Sequence, residues 1–482
     1  MSQMQFKISW LVLLLGALSF SVANGGVEFS VKERAELEKI LASVELSIDK
    51  VNVYKVGENI TLLEVDDKGR ITFSIKHNKI TWKSRFRNAV VLDQNDQVIG
   101  LFLKRPFKNI EPLSPLAQLR WVHLEGNLSS LQSVNNLTNL EELGAPNNQI
   151  TALKDLHLPK LKRLDISNNK LKDIPALSTF SALQHLKIND NNIEAFTYFK
   201  KLSKLTYLDM SRNPIHDFKV PSTMTLLETL IAPGTTLQAI AFEQLPNIKS
   251  IELTNQPIVS ISGLENTSQL EELIIIDSKL AGIKVGALRK LRKLYFSSSN
   301  IDSIADIEGI SELYNLEKLG LSNSNIDKII NLHKLVNLKY LSLANNKISE
   351  IESLDNLTNL VSINLSSNKL TKIQGLDHLK NLTLLDLSNN PIEVFEGVGS
   401  RMLDKVILSD TKIASIKGFS GFPVLGAVIL KNTNIRNLEG YEEYLTPRDS
   451  SLVFFLSGNG LSYKEQGTIL RLLLKYNVDY IL

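Results

Sequence analysis

The run LKYLSLANNKISEIESLDNLTN from Leu338 to Asn359, followed by LVSINLSSNKLTKIQGLDHLKN from Leu360 to Asn381 and LTLLDLSNN from Leu382 to Asn390, decides the fold. Leu338, Leu360 and Leu382 stand 22 residues apart, and the apolar residues of each unit recur as L-x-x-L-x-L-x-x-N-x-I/L-x-x-I. A unit this short cannot bury its own leucines. Stacking lets Leu341, Leu343, Ile348, Ile351, Leu354 and Leu357 meet their equivalents in the next coil, so the repetition itself makes the core. Each coil is predicted to supply one short strand and a return segment. Asn346, Asn368 and Asn390 fall at the bend after the strand, where a side-chain amide can bond backbone groups that the turning chain leaves unpaired.

Working outward, the same frame covers fifteen coils whose first apolar residues run from Leu119 to Leu425 at steps of 21 or 22 residues, except for 25 between Leu291 and Leu316. The extra residues, around ADIEGI, are expected in the return segment, where lengthening costs little. At about 4.8 Å per strand the array would span on the order of 70 Å of curved parallel sheet. The asparagine column is uneven. It is present at Asn148, Asn169, Asn191 and Asn213, replaced at Thr235, Gln256, Ser278, Ser299 and Ser324, restored at Asn346, and replaced again at Thr411 and Thr433. Shorter hydroxyls satisfy fewer backbone groups, so the middle coils are predicted to be less tightly specified.

The ends differ from the array. Residues 1–23 read as a secretory signal, with Lys7 before ISWLVLLLGALSF and small residues at Ser21-Val22-Ala23; the apolar run is shorter than the roughly 20 residues that span a bilayer. Residues 27–97 read as a small α+β cap. An amphipathic helix follows the capping box of Ser30 and Glu33, and two hairpins follow it, NITLLEV with RITFSIK and VVL with VIGLFL. Repeats occupy 98–444. Within 445–482, LVFFLSGNGL reads as a last strand and turn, and ILRLLLKY as a helix closing the array.

Composition narrows the function. The formal net charge of +3 gives no broad field to recruit nucleic acid, and the absence of cysteine excludes disulfides and thiol chemistry. H-E-x-x-H, G-x-S-x-G, G-x-x-x-x-G-K-S/T and C-x-x-C are all missing, and the seven histidines are dispersed, so no enzyme, metal site or cofactor is predicted. Oxygen-rich turns at Asp93 to Asp96 and Asn189 to Asn192 lack the glycine and terminal glutamate of a calcium loop. Sequons such as Asn381-Leu382-Thr383 follow from the repeat consensus itself.

The consensus, clearest at 316–390, resembles the 22-residue class of leucine-rich repeats found in bacterial internalins and in phosphatase-regulating repeat proteins. That resemblance implies an α/β fold: a right-handed solenoid, or horseshoe, with a curved parallel sheet, an α+β amino-terminal cap and a helical carboxy-terminal cap. Likeness to internalins implies a secreted or surface-displayed binder of other proteins, with a periplasmic home as a variant. The chain lacks a Leu-Pro-x-Thr-Gly anchor. Likeness to the phosphatase regulators implies the alternative, a regulatory subunit of an enzyme such as a Ser/Thr phosphatase, which the signal sequence opposes.

Alternate strand residues face opposite sides, so those flanking the buried leucines should line the inner wall of the sheet. In the early coils these are Trp121, His123, Arg163, Asp165, His185, Lys187, Tyr207, Asp209 and Arg212, a mixture of aromatics and charges suited to an interface. In the middle coils they are Ile231, Ile274, Ile276, Tyr295 and Tyr340, apolar side chains on a face that need not carry them. The expected protein is therefore an exported, monomeric, non-enzymatic scaffold with a protein or peptide partner and no transmembrane anchor once the signal is removed.

Overall fold

Every predicted first apolar residue from Leu119 to Leu425 is buried, and a strand begins two residues after each, from Trp121–Glu125 to Ala427–Ile429. The computed structural model describes residues 31–46, 51–55, 60–65, 70–75, 84–85, 88–153, 156–195, 199–419, 421–436, 452–462, 464, 467 and 479–481. The predicted signal at 1–23, the capping residue Ser30 and the predicted closing helix lie outside them. The chain divides into two compact units, Met1–Leu227 and Glu228–Leu482.

In the first unit, helix Val31–Ser43 buries Leu37, Ile40 and Leu41, the face its apolar spacing predicts, together with Val44 just beyond its end. Arg105 Nη1 donates to Glu45 O at 2.7 Å, and the Glu111 amide donates to Ser43 Oγ at 3.1 Å, tying the helix end to the chain ahead of the first coil. Both hairpins form. Ile60–Val65 runs antiparallel to Arg70–Ile75 with a register shift between Leu62 and Glu64, and Asn88–Leu92 runs antiparallel to Val98–Lys104. From Val98–Lys104 the pairing turns parallel, through Trp121–Glu125, Glu142–Gly144, Arg163–Asp165, His185–Lys187 and Tyr207–Asp209.

The second unit is a parallel ladder from Thr229–Ile231 onward. Ser250–Thr254, Glu272–Ile276 and Lys293–Ser297 are five-residue strands; those from Lys318–Gly320 to Val453–Phe455 have three residues. The insertion before Leu316 sits in the return segment as predicted, forming short 3-10 turns at Ile304–Asp306 and Ile310–Glu312 around strand Ile307–Glu308.

Two side-chain ladders brace the coils. At the bend, Asn368 Nδ2 donates to Leu343 O, Leu365 O and Ser366 O at 2.9, 3.0 and 3.2 Å, and its Oδ1 accepts from the Ile348 amide at 3.0 Å. Asn148, Asn169, Asn191 and Asn213 do the same in the first unit. The residue before each spine position takes positive φ, which asparagine, aspartate and glycine tolerate best; Arg212 is an exception, at 50°. On the edge where strands begin, Asn315, Asn337, Asn359 and Asn381 each donate to a carbonyl of the preceding coil at 2.8 to 2.9 Å. The Asn381 amide of the N-L-T sequon is thus already engaged.

Candidate functional site: the open face of the sheet

Strand register sets out the face in rows. In the first unit one row is Trp121, Glu142, Arg163, His185 and Tyr207, and the next is His123, Gly144, Asp165, Lys187 and Asp209. Sequence alternation predicts Trp121, His123, Arg163, Asp165, His185, Lys187, Tyr207 and Asp209 to point outward. The first coil departs from that expectation: Trp121 is 2% exposed and His123 8%, so the indole offers a partner almost no surface. Arg120 lies over the Trp121 ring at 5.2 Å. His123 lies over Gly144, whose missing side chain leaves it room.

His185 and Tyr207 stack with ring centroids 3.9 Å apart and 5° between planes. Burial, followed by the charges of Arg163 and Lys187, pushes the His185 pKa down to about 3, so the imidazole is neutral at physiological pH. Its buried Nε2 has no hydrogen-bond partner among the described residues. Arg163 Nε approaches Glu142 Oε2 at 3.4 Å. Arg212, predicted to meet a partner, is held by Asp190, with Nη2 donating to Oδ2 at 2.6 Å.

Asp165 Oδ1 accepts from the Ser167 amide and hydroxyl at 3.0 and 2.6 Å, and Asp209 Oδ1 accepts from those of Ser211 at 3.0 and 2.5 Å. These bonds bend the chain as it leaves the strand. His123, Asp165, Lys187 and Asp209 line one cavity of about 360 Å³ with Glu125 and Asp190. Burial alone would raise the Glu125 pKa, but His123, with Nε2 3.9 Å away, and the Lys104 ammonium at 2.8 Å outweigh it and hold the carboxyl below its usual range.

In the second unit, Ile231, Ile274, Ile276 and Tyr295 are half-buried on the open face, and Tyr340 is 44% exposed. Tyr295 pairs in register with Ile274 and lies over Gly320, while Lys318 Nζ sits 4.9 Å from the Tyr340 ring. Two features extend the reading of the sequence, which also places Ile407 and Ile429 on this face. The row Ile407, Ile429 and Phe455 continues the apolar character, because Val453–Phe455 is a full member of the sheet. Charges that alternate in sign also recur at the coil period just before the strand. Lys162 Nζ lies 2.8 Å and Arg120 Nη2 2.9 Å from Glu141, and Lys339 Nζ lies 3.1 Å from Glu317, which Arg292 also contacts. Among the described residues no group of three or more histidine, aspartate or glutamate side chains is placed to hold a metal ion, and no helix is long and apolar enough to cross a membrane.

Residues 159–215 and 337–392 match the leucine-rich-repeat family model, and 138–179 and 314–356 match its two-copy form. Leucine-rich repeat-containing protein 23 of Bos taurus is 25% identical over 216 residues, 45% of this chain; the chain spans 57% of that protein's length. Among solved structures, a leucine-rich-repeat protein of Leptospira interrogans is 24% identical with a TM-score of 0.57, covering 80% of this chain and 89% of that one. The functional domain of InlJ from Listeria monocytogenes is 20% identical with a TM-score of 0.55, covering 74% of each chain. The plant peptide hormone receptor RGFR1, solved in complex with RGF2, is 18% identical with a TM-score of 0.58, covering 78% and 66%. The chain is a leucine-rich-repeat protein whose fold resembles that of the internalins.

Proposed function

We propose that the protein is an exported, non-enzymatic recognition scaffold that holds a protein or extended peptide against the open face of its sheet. The observation that supports this most is Tyr340, a large ring left 44% exposed with the Lys318 ammonium 4.9 Å from it, at a position the fold does not need filled by an aromatic. The flat His185–Tyr207 pair gives the first unit a comparable rigid surface. A fold relative, the plant peptide hormone receptor RGFR1 solved in complex with RGF2, accords with a binding role. Replacing Tyr207 and Tyr340 together by alanine should abolish partner capture by the immobilised chain while circular dichroism and melting stay near wild type. Capture at wild-type level by that double variant would refute the reading. Export is tested by recovery of a chain shortened at its amino terminus, near Ala23, outside the cytosol.

A further inference from the structure

We propose that the first unit's cavity receives a positively charged side chain, lysine or arginine, from an extended peptide partner; this rests on the reading of the open face as a binding surface. Asp165 and Asp209 each use Oδ1 to bend the chain at the strand's end. That task does not require a charge. In the second unit Asn364 performs it with an amide oxygen, accepting from the Ser366 amide at 2.9 Å and hydroxyl at 2.7 Å. The negative charges at 165 and 209 are therefore surplus to the fold.

Nothing nearby neutralises them fully. Glu125 is matched by Lys104 and Asp190 by Arg212, whereas Asp165 and Asp209 form no ion pair among the described residues. Lys187 stands between them in strand register, and Arg212, held by Asp190, also acts on Asp209; with Lys104 on Glu125, four carboxylates lining a polar space of about 360 Å³ are matched by three cations. A fourth cation, brought by a partner, completes the alternation and gains charge-assisted hydrogen bonds to the oxygens that the bend leaves free. Neighbouring His185 stays uncharged and adds no competing positive charge.

Three labelled peptides of equal length, serine–glycine chains carrying central arginines, glutamates or glutamines, can be titrated against the full chain by fluorescence anisotropy. The arginine peptide should bind most tightly. Asp165→Asn with Asp209→Asn should weaken it about tenfold, leaving melting unchanged because the amide oxygens keep the serine bonds. Glu271→Gln, in the second unit, should change nothing. Preference for the glutamate peptide, lost in Lys187→Gln, overturns the proposal. So does equal binding of the arginine peptide by wild type and the double asparagine variant, or no saturable binding of any peptide. Each of those results leaves the wider reading standing, since partner capture by the tyrosine double variant is measured separately.

Discussion

Within the second unit, the coils at Asn346, Asn368 and Asn390 and those running from Thr235 to Ser324 make the same bend by different means. The asparagines each reach three carbonyls and one amide. In the middle coils Thr235 reaches Ala232 O at 3.3 Å and Gln256 Oε1 at 2.8 Å, while Ser278 and Ser299 bond one another at 3.0 Å. The hydroxyls do make fewer bonds, yet Ser250–Thr254, Glu272–Ile276 and Lys293–Ser297 pair over five residues where later strands pair over three. Backbone ladder offsets side-chain spine. A physical cause lies at the second outward position, where Asn364 and Asp386 capture the amide two residues on and start the bend. Ile274 offers no side-chain acceptor for such a bond, and the β-branched run Ile274-Ile275-Ile276 favours extended backbone.

Breaking the spine is the largest test. Asn368→Ala strands several buried backbone groups and should cost about 3 kcal/mol in urea unfolding, against under about 1 kcal/mol for Ser299→Ala; equal losses would erase the distinction. Acid extends the contrast to the first unit, whose amide spine lies beside a histidine kept neutral. His185 binds its proton far less readily folded than unfolded, so its contribution is whole above the unfolded value near 6.5 and is lost as pH falls toward about 3. Lowering pH from about 7.5 to about 4.5 should therefore cost wild type about 2 kcal/mol more than His185→Gln, read from urea midpoints. Gly320→Ala, at the first short strand after the five-residue ones, intrudes on Tyr295 and should cost about 1 kcal/mol. Ser299→Asn sharpens the comparison most finely. If the long ladder already serves the bend, an added amide should change stability by less than about 0.5 kcal/mol; a clear gain would show the middle coils to be underbraced.

The coil frame was legible because burial enforces it: each first apolar residue from Leu119 to Leu425 fixes its strand two residues later. Strand length was not, since the same leucine spacing accompanies three- and five-residue strands; an outward Asp or Asn followed two places on by Ser starts the bend at Asp165, Asp209, Asn364 and Asp386, whereas Lys318–Gly320, Lys405–Ile407 and Ala427–Ile429 stop at three residues without one. The spine was followed to Thr433 and no further, but Asn459 resumes it, donating to Leu430 O at 2.6 Å and Leu456 O at 2.8 Å. Counting the last strand as a whole coil would have found it. On the open face, alternation named Asp165, Lys187 and Asp209, which line one cavity. It misjudged the exposure of Trp121, whose strand is flanked on one side by Val98–Lys104 from the non-repeating head, a neighbour that no periodic frame anticipates.

Asn368 and Asn390 bond through the same atoms at the same distances, 2.9 Å to one carbonyl of the preceding coil and 3.0 and 3.2 Å to two of their own, and each Oδ1 accepts one amide of the preceding coil at 3.0 Å. The upper surface of one turn is thus interchangeable with the upper surface of the next. A duplicated cassette from Leu360 to Asn381, spliced in before Leu382, would find donors and acceptors already in place on both sides. Reach along the array can therefore be lengthened by tandem copying without redesigning any joint.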